Sequence, residues 1–98
     1  MNKVTVLYKH PQDEAAFEKY YSDIHIPLAA KIPDVDCVEF TKFSPGPGGQ
    51  PAFYRMAELY FETEEIMMQS LGSEEGKAAA GDLPNFADGG FNFLIGKI

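Results

Sequence analysis

Four strand-like runs alternate with two helical segments, and this order constrains the fold of the 98-residue chain more than any other feature. The runs are rich in β-branched and aromatic residues, which favour strands. They span Lys3–Lys9, Asp36–Phe43, Ala52–Phe61 and Phe91–Ile98. The Pro/Gly-rich segment Ser44–Ala52 lies between the second and third runs and predicts a hairpin loop.

The first helical segment, EAAFEKYYSDI, follows the first strand. Asp13 is a suitable N-cap for it, and its apolar residues recur at helical spacing. Pro27 disfavours the helical conformation at Ile26, so we expect the helix to break or kink there. Pro27 can then open a further turn through LAAKI.

The second helical segment follows the third strand. Thr63 is predicted to cap it, and two glutamates lie at its positive end. Ser73 predicts a further helical piece, EEGKAAA, which Gly76 weakens. The segment Asp82–Asp88, DLPNFAD, has the composition of a capped single turn before the last strand.

The βαββαβ order predicts an α+β, ferredoxin-like fold in which residues 1–98 form a single domain. A four-stranded antiparallel sheet then carries both helices on one face. Large apolar residues occupy both faces of its strands. In a sheet with one solvent-exposed face, apolar and polar residues would alternate along each strand. In the third strand one face has Phe53, Ala57, Leu59 and Phe61, and the other has Tyr54, Met56 and Tyr60. We therefore expect a homodimer in which a second copy covers the other face and closes a dimeric α+β barrel.

The charge pattern narrows the expected partners and location. The net charge is −7 and the eight basic residues are scattered, which argues against binding to nucleic acid or to an anionic membrane surface. No apolar run has the length of a membrane span, and the N terminus lacks the layout of a signal peptide. A cytoplasmic location is the expectation. The single cysteine, Cys37, allows neither an intrachain disulfide nor a cysteine-based metal cage, and we place it in a strand.

His25 is the first candidate for chemistry. It follows Tyr21 by four residues and Phe17 by eight, so all three share the apolar face of the helix if the helix continues that far. A histidine in that position can accept or donate a proton near pH 7. The alternative is structural, with the imidazole bonding the carbonyls that Pro27 leaves free.

The turn near the C terminus supplies the candidate partners of His25. Either Asp82 or Asp88 could orient the imidazole and fix its tautomer, and the sequence does not rank them. Turn chemistry is the alternative explanation for both aspartates and for Asn85.

Strand residues supply further candidates. Tyr8, Tyr54 and Tyr60 could line a ligand cavity with their hydroxyls, or they could simply fill the core. Arg55 and Glu39 could pair across the hairpin. The two histidines have no further ligand residues at the spacing of a metal site. The GPGG stretch lies in a hairpin, with no helix after it to bind a nucleotide phosphate. We therefore expect no cofactor.

With these elements in order, the chain resembles the EthD family, named after ethyl tert-butyl ether degradation, within the dimeric α+β-barrel superfamily. Three pieces carry the resemblance: VTVLY in the first strand, YYSDIHIPL with its Tyr-Tyr and His-x-Pro-Leu, and DLPNFAD before the last strand. The resemblance implies the fold and the dimer. It also makes His25 the best catalytic candidate in the chain.

The function implied by the resemblance is broad. Members are associated with ether degradation, and relatives in the superfamily include cofactor-free monooxygenases, dehydratases, isomerases and polyketide cyclases, several with a barrel-lining histidine as acid or base. We therefore expect a small apolar or aromatic ligand in the barrel, with His25 as general acid or base. Its binding residues would include Tyr21, Asn85 and Phe86 together with the three strand tyrosines. The alternative is a non-catalytic binding or carrier protein, and nothing in the residues supports the label oxidoreductase.

Overall fold

The computed structural model describes residues 1–98 and contains one antiparallel sheet of four strands. The strands are β1 (Asn2–Tyr8), β2 (Cys37–Lys42), β3 (Arg55–Phe61) and β4 (Phe91–Lys97). They lie in the order β2-β3-β1-β4, so the first and third strands are central and the other two form the edges. This arrangement is the ferredoxin-like sheet predicted from the order of elements.

The first helical region does not break at Pro27. It consists of α1 (Glu14–Tyr20), one π-helical turn (Tyr21–His25) and α2 (Ile26–Ala29) without an intervening loop. The Ile26 amide donates to the Tyr21 carbonyl, five residues back, which makes the turn wider than an α-helical one. The expected irregularity is therefore a widened turn before Pro27, and insertions of this kind are frequent at functional sites.

The second helical region consists of α3 (Glu64–Gly72) and α4 (Glu74–Phe86). Thr63 caps α3 by accepting from the Ile66 amide at 3.1 Å, and Ser73 caps α4 by accepting from the Gly76 amide at 3.0 Å, as predicted.

The prediction of a separate turn over Asp82–Asp88 is wrong, because α4 continues to Phe86 with Pro84 inside it. One buried stripe at helical spacing explains the continuity: Gly76, Ala79, Asp82, Leu83 and Phe86. Burial of that stripe against the sheet and the first helical region overrides the local preference of the proline.

An aromatic core lies between the helices and one face of the sheet. Tyr8, Phe17, Tyr21 and Phe86 are all buried and pack mutually, with ring centroids 5.2–5.7 Å apart. The alternation of side chains along an extended strand predicted that Tyr54 would lie on the opposite face of the sheet from Ala57. Tyr54 nevertheless belongs to this core as well. The reason is that β3 begins only at Arg55, so the irregular chain before it turns the Tyr54 side chain inward.

The opposite face of the sheet is more polar than its sequence pattern predicted. Lys3 pairs with Glu58 at 2.8 Å, and the Tyr60 hydroxyl donates to Glu39 at 3.1 Å. The predicted pairing of Arg55 with Glu39 is wrong, because Glu39 faces Glu58 in the register and Arg55 lies on the helix side. No helix of the chain is both long and apolar enough to cross a membrane.

Candidate active site

The π-helical turn directs His25 toward the interior. The residue is only 6% exposed, between the sheet and α4. The imidazole stacks on the Tyr21 ring at 5.7 Å with an interplanar angle of 16°, and the Phe86 ring lies 4.7 Å away on centroids. Packing between two aromatic rings fixes the orientation of the imidazole and keeps water away from most of its surface.

Asp82 is the carboxylate that meets His25. Its Oδ2 lies 3.1 Å from His25 Nδ1, across 57 residues of sequence. Its Oδ1 accepts hydrogen bonds from the Tyr20 hydroxyl at 2.6 Å and from Asn85 Nδ2 at 3.0 Å. Burial alone would raise the pKa of Asp82, but the bonds from Tyr20, Asn85 and His25 together hold it below its usual value. Asp82 is thus an anchored, ionised acceptor.

The proton on His25 follows from these contacts. Burial lowers the pKa of His25 below its ordinary value, and the neighbouring Asp82 opposes this shift only in part. The imidazole is therefore neutral at pH 7. Because an ionised carboxylate can only accept, the proton resides on Nδ1 and the lone pair on Nε2. Nε2 makes no hydrogen bond within the chain, so it can act as a base.

A small cavity opens beside His25, between the helices and the sheet. Its volume is about 40 Å³, and 13 of its 15 lining residues are hydrophobic. Tyr8 lines it together with His25. The Tyr8 hydroxyl is fully buried and makes no hydrogen bond of ordinary geometry within the chain, and the hydroxyl of Tyr21 is its neighbour. Burial raises the pKa of Tyr8 above its ordinary value, so this hydroxyl keeps its proton and can donate it.

An ion pair supports the ring that stacks on His25. The Arg55 guanidinium lies 5.0 Å from the centroid of the Tyr21 ring. Both Arg55 and the Tyr54 hydroxyl bind the Glu18 carboxylate, at 2.8 Å and 2.9 Å respectively. The Arg55 hydrogen bonds are the main cause that lowers the pKa of Glu18. This network holds the Tyr21 ring in place, and the Tyr21 ring in turn positions the imidazole that stacks on it.

Three predicted site residues lie away from this cavity. The Asp88 carboxylate accepts from the Gln12 amide at 3.4 Å on the surface, Tyr60 is on the opposite face of the sheet, and Tyr54 binds Glu18. The cavity beside His25 is within one chain, on the helix face, and not on the open sheet face where a barrel between two copies would form. Asn85 and Phe86 contact Asp82 and His25 from α4 instead of entering the cavity.

Tyr20 is the residue of this cluster that sequence reasoning missed. It anchors Asp82 through the shortest of the three bonds and stacks on Phe86 at 5.4 Å. The Tyr-Tyr pair of YYSDIHIPL is the signal that could have identified it.

The structure contains no group of three or more histidine, cysteine, aspartate or glutamate side chains arranged to hold a metal ion.

Comparison with known proteins identifies the family. The model of the EthD domain matches residues 9–90. A Rhodococcus erythropolis protein, described as an uncharacterized 11.0 kDa protein in the thcB-thcC intergenic region, is 43% identical over 95 residues, which cover 97% of this chain and 92% of that protein.

Two solved structures show the same fold. An ethyl tert-butyl ether (EthD) family protein from Bacillus halodurans has a TM-score of 0.94 and 35% identity, covering 100% of this chain and 98% of that chain. SnoaB, a cofactor-independent oxygenase from Streptomyces nogalater, has a TM-score of 0.66 and 11% identity, covering 99% and 90%. At 11% identity the likeness shows the fold alone. The match over residues 9–90 and the 43% identical relative establish that this chain belongs to the EthD family.

Proposed function

We propose that this protein is a cofactor-independent acid–base catalyst that acts on a small, uncharged, mostly apolar molecule. The observation that carries the proposal is His25, neutral and oriented by Asp82, in the wall of an apolar cavity that Tyr8 also lines. A positioned base and a hydrogen-bond donor at an apolar cavity are the groups that proton transfer at carbon needs.

The chemistry can be written with these groups alone. His25 Nε2 removes a proton from a carbon next to a carbonyl. The C–H electron pair forms a new C=C bond, and the C=O π pair moves onto the oxygen to give an enolate. The Tyr8 hydroxyl donates to that oxygen. Asp82 stabilises the imidazolium that forms, which then returns the proton to the same or another carbon. Return to the same carbon gives proton exchange or inversion of that centre, and return to another carbon gives an isomerisation. The same first step can precede a dehydration, or an oxygenation when O₂ is the co-substrate.

A deuterium-exchange measurement tests this proposal without knowledge of the natural substrate. Acetone and benzylacetone carry enolisable protons, whose replacement in D₂O is followed by proton NMR. We expect the wild-type protein to accelerate the exchange and the His25→Gln variant to lower that acceleration by roughly 10²-fold or more. His10→Gln, which changes a histidine that is bonded to the Pro51 carbonyl and does not line the cavity, is the matched control.

A non-catalytic binding protein is the second candidate. It is favoured by the absence from the cavity of any other group that titrates near neutral pH. Benzylacetone that binds to the wild-type protein but exchanges its protons at the buffer rate would support this alternative and contradict catalysis.

A further inference from the structure

The cavity beside His25 is too small for the whole of an organic ligand. Its volume of about 40 Å³ corresponds to a few water molecules, since one water needs roughly 10–15 Å³. Sites for small organic ligands commonly enclose about 300–1,000 Å³. Only the reactive end of a larger molecule can therefore lie at His25, and the rest of it needs another place.

A second apolar space lies directly beside the cavity. It is a groove of about 360 Å³ between α2, the loop after it and β2, and nine of its ten lining residues are hydrophobic. Four residues line both spaces: Ala29, Ile32, Phe40 and Leu59. The groove and the cavity thus adjoin at these four residues, of which Phe40 is only half-buried.

The two spaces differ in polarity. The groove has one polar lining residue, the acidic Asp36, whereas the cavity is lined by His25 and by Tyr8, whose buried hydroxyl has no partner. A buried hydroxyl without a partner is costly, so a ligand oxygen that accepts from Tyr8 is favoured there. Asp36 and the net charge of −7 disfavour an anionic ligand.

We propose that the cavity and the groove form one elongated site for an uncharged molecule with an apolar or aromatic body and a terminal carbonyl or hydroxyl oxygen. The oxygen lies between Tyr8 and His25, and the body extends past Ile32 and Phe40 into the groove. This assignment rests on the proposed function for its reactive end, and it specifies the substrate class that the proposed function leaves open.

Benzylacetone and butylbenzene are a matched pair of probes, because they have the same shape and differ in the carbonyl oxygen. We expect Ala30→Trp, which fills the groove from an exposed position of its lining, to weaken the binding of both probes at least tenfold. Ala78→Trp, at an exposed position of α4 that lines neither space, is the control and leaves both affinities unchanged.

Tyr8→Phe tests the polar end. Loss of one neutral hydrogen bond should lower the affinity for benzylacetone by roughly five- to tenfold and leave that for butylbenzene unchanged. Val38→Lys introduces a charge into the groove from β2, so that the conclusion does not depend on the folding of Ala30→Trp alone.

The outcomes separate this inference from the proposed function. Equal binding of benzylacetone by the wild-type protein and by folded Ala30→Trp and Val38→Lys would overturn the elongated site, even if acetone exchange still depended on His25. An equal effect of Tyr8→Phe on both probes, or no binding of benzylacetone at millimolar concentration, would overturn it as well. If binding is weakened by the groove substitutions but the rate of deuterium exchange is the same in His25→Gln as in the wild type, the elongated site is supported and catalysis by His25 is contradicted.

Discussion

At His25, burial and hydrogen bonding shift the pKa of the imidazole in opposite directions. Burial disfavours the imidazolium, the Asp82 carboxylate favours it, and the net result is a lowered pKa. His25 is neutral at rest, and once it accepts a proton it forms an ion pair with the adjacent Asp82 carboxylate. A base of this kind is suited to reversible proton transfer. The same balance makes the stability of the fold depend on pH.

The pH dependence has a definite sign. Above the unfolded-state pKa of about 6.5, His25 is neutral in both states and contributes nothing to the dependence. As the pH falls below that value, the unfolded chain binds a proton before the folded one does, so the free energy of unfolding decreases. The slope from one such group is at most about 1.4 kcal/mol per pH unit.

Urea unfolding of the wild-type protein and of His25→Gln between pH 7.5 and 5.5 measures this effect. We expect the wild-type free energy of unfolding to decrease across this range and the variant to lose that decrease. His10→Gln retains His25 and should retain the decrease. A dependence in His25→Gln that matches the wild type would contradict the lowered pKa of His25.

At the scale of elements, the junction of α3 and α4 fixes the position of Asp82. A Cβ added to Gly76 would clash with the Ser70 carbonyl oxygen and would lie 2.8 Å from that of Leu71. The absence of a side chain at Gly76 therefore allows α4 to begin against the end of α3. Asp82 lies on the same buried stripe, so its place beside His25 depends on this packing.

Two glycine substitutions in α4 test the contact. Gly76→Ala should lower the free energy of unfolding by about 1–3 kcal/mol, because the backbone atoms that its Cβ meets cannot move aside cheaply. Gly81→Ala meets no atom within 4 Å and should raise the free energy of unfolding by about 0.5–1 kcal/mol through helix propensity. Equal effects of the two substitutions, measured by urea unfolding, would exclude a close approach at Gly76.

At the scale of the whole molecule, the edge strand β4 remains uncovered in a single chain. Phe93, Leu94 and Ile95 are 40%, 50% and 53% exposed. Leu94 lies opposite Thr5 in the register, on the sheet face away from the helices, whereas Phe93 and Ile95 lie opposite Val6 and Val4, on the helix face. An uncovered edge strand with exposed apolar side chains is typical of an interaction surface, and we retain the homodimer as a prediction.

Sedimentation velocity at micromolar concentration measures the assembly. We expect the wild-type protein to sediment as a dimer and Leu94→Asp to sediment as a monomer, because a carboxylate buried in the interface would lack a partner. Met68→Glu, which changes a residue of α3 that is 56% exposed, is the control and should leave the dimer intact. A wild-type monomer under these conditions would contradict the prediction.

The sequence by itself determined the family, the order of elements and the caps. The EthD resemblance and the ferredoxin-like α+β fold are confirmed by the family match and by the close structural relative. Asp13, Thr63 and Ser73 cap the helices that follow them, because a cap bonds to an amide three residues away and needs no distant partner.

Only the tertiary structure decided which residues meet. His25 binds Asp82 and not Asp88, because α4 runs through Pro84 and holds Asp82 on its buried face. Arg55 binds Glu18 of α1 and not Glu39, since the register directs Glu39 to the other face of the sheet. Such contacts join residues far apart in the sequence, so they depend on helix packing and strand register. Local patterns of residues do not encode either of these directly.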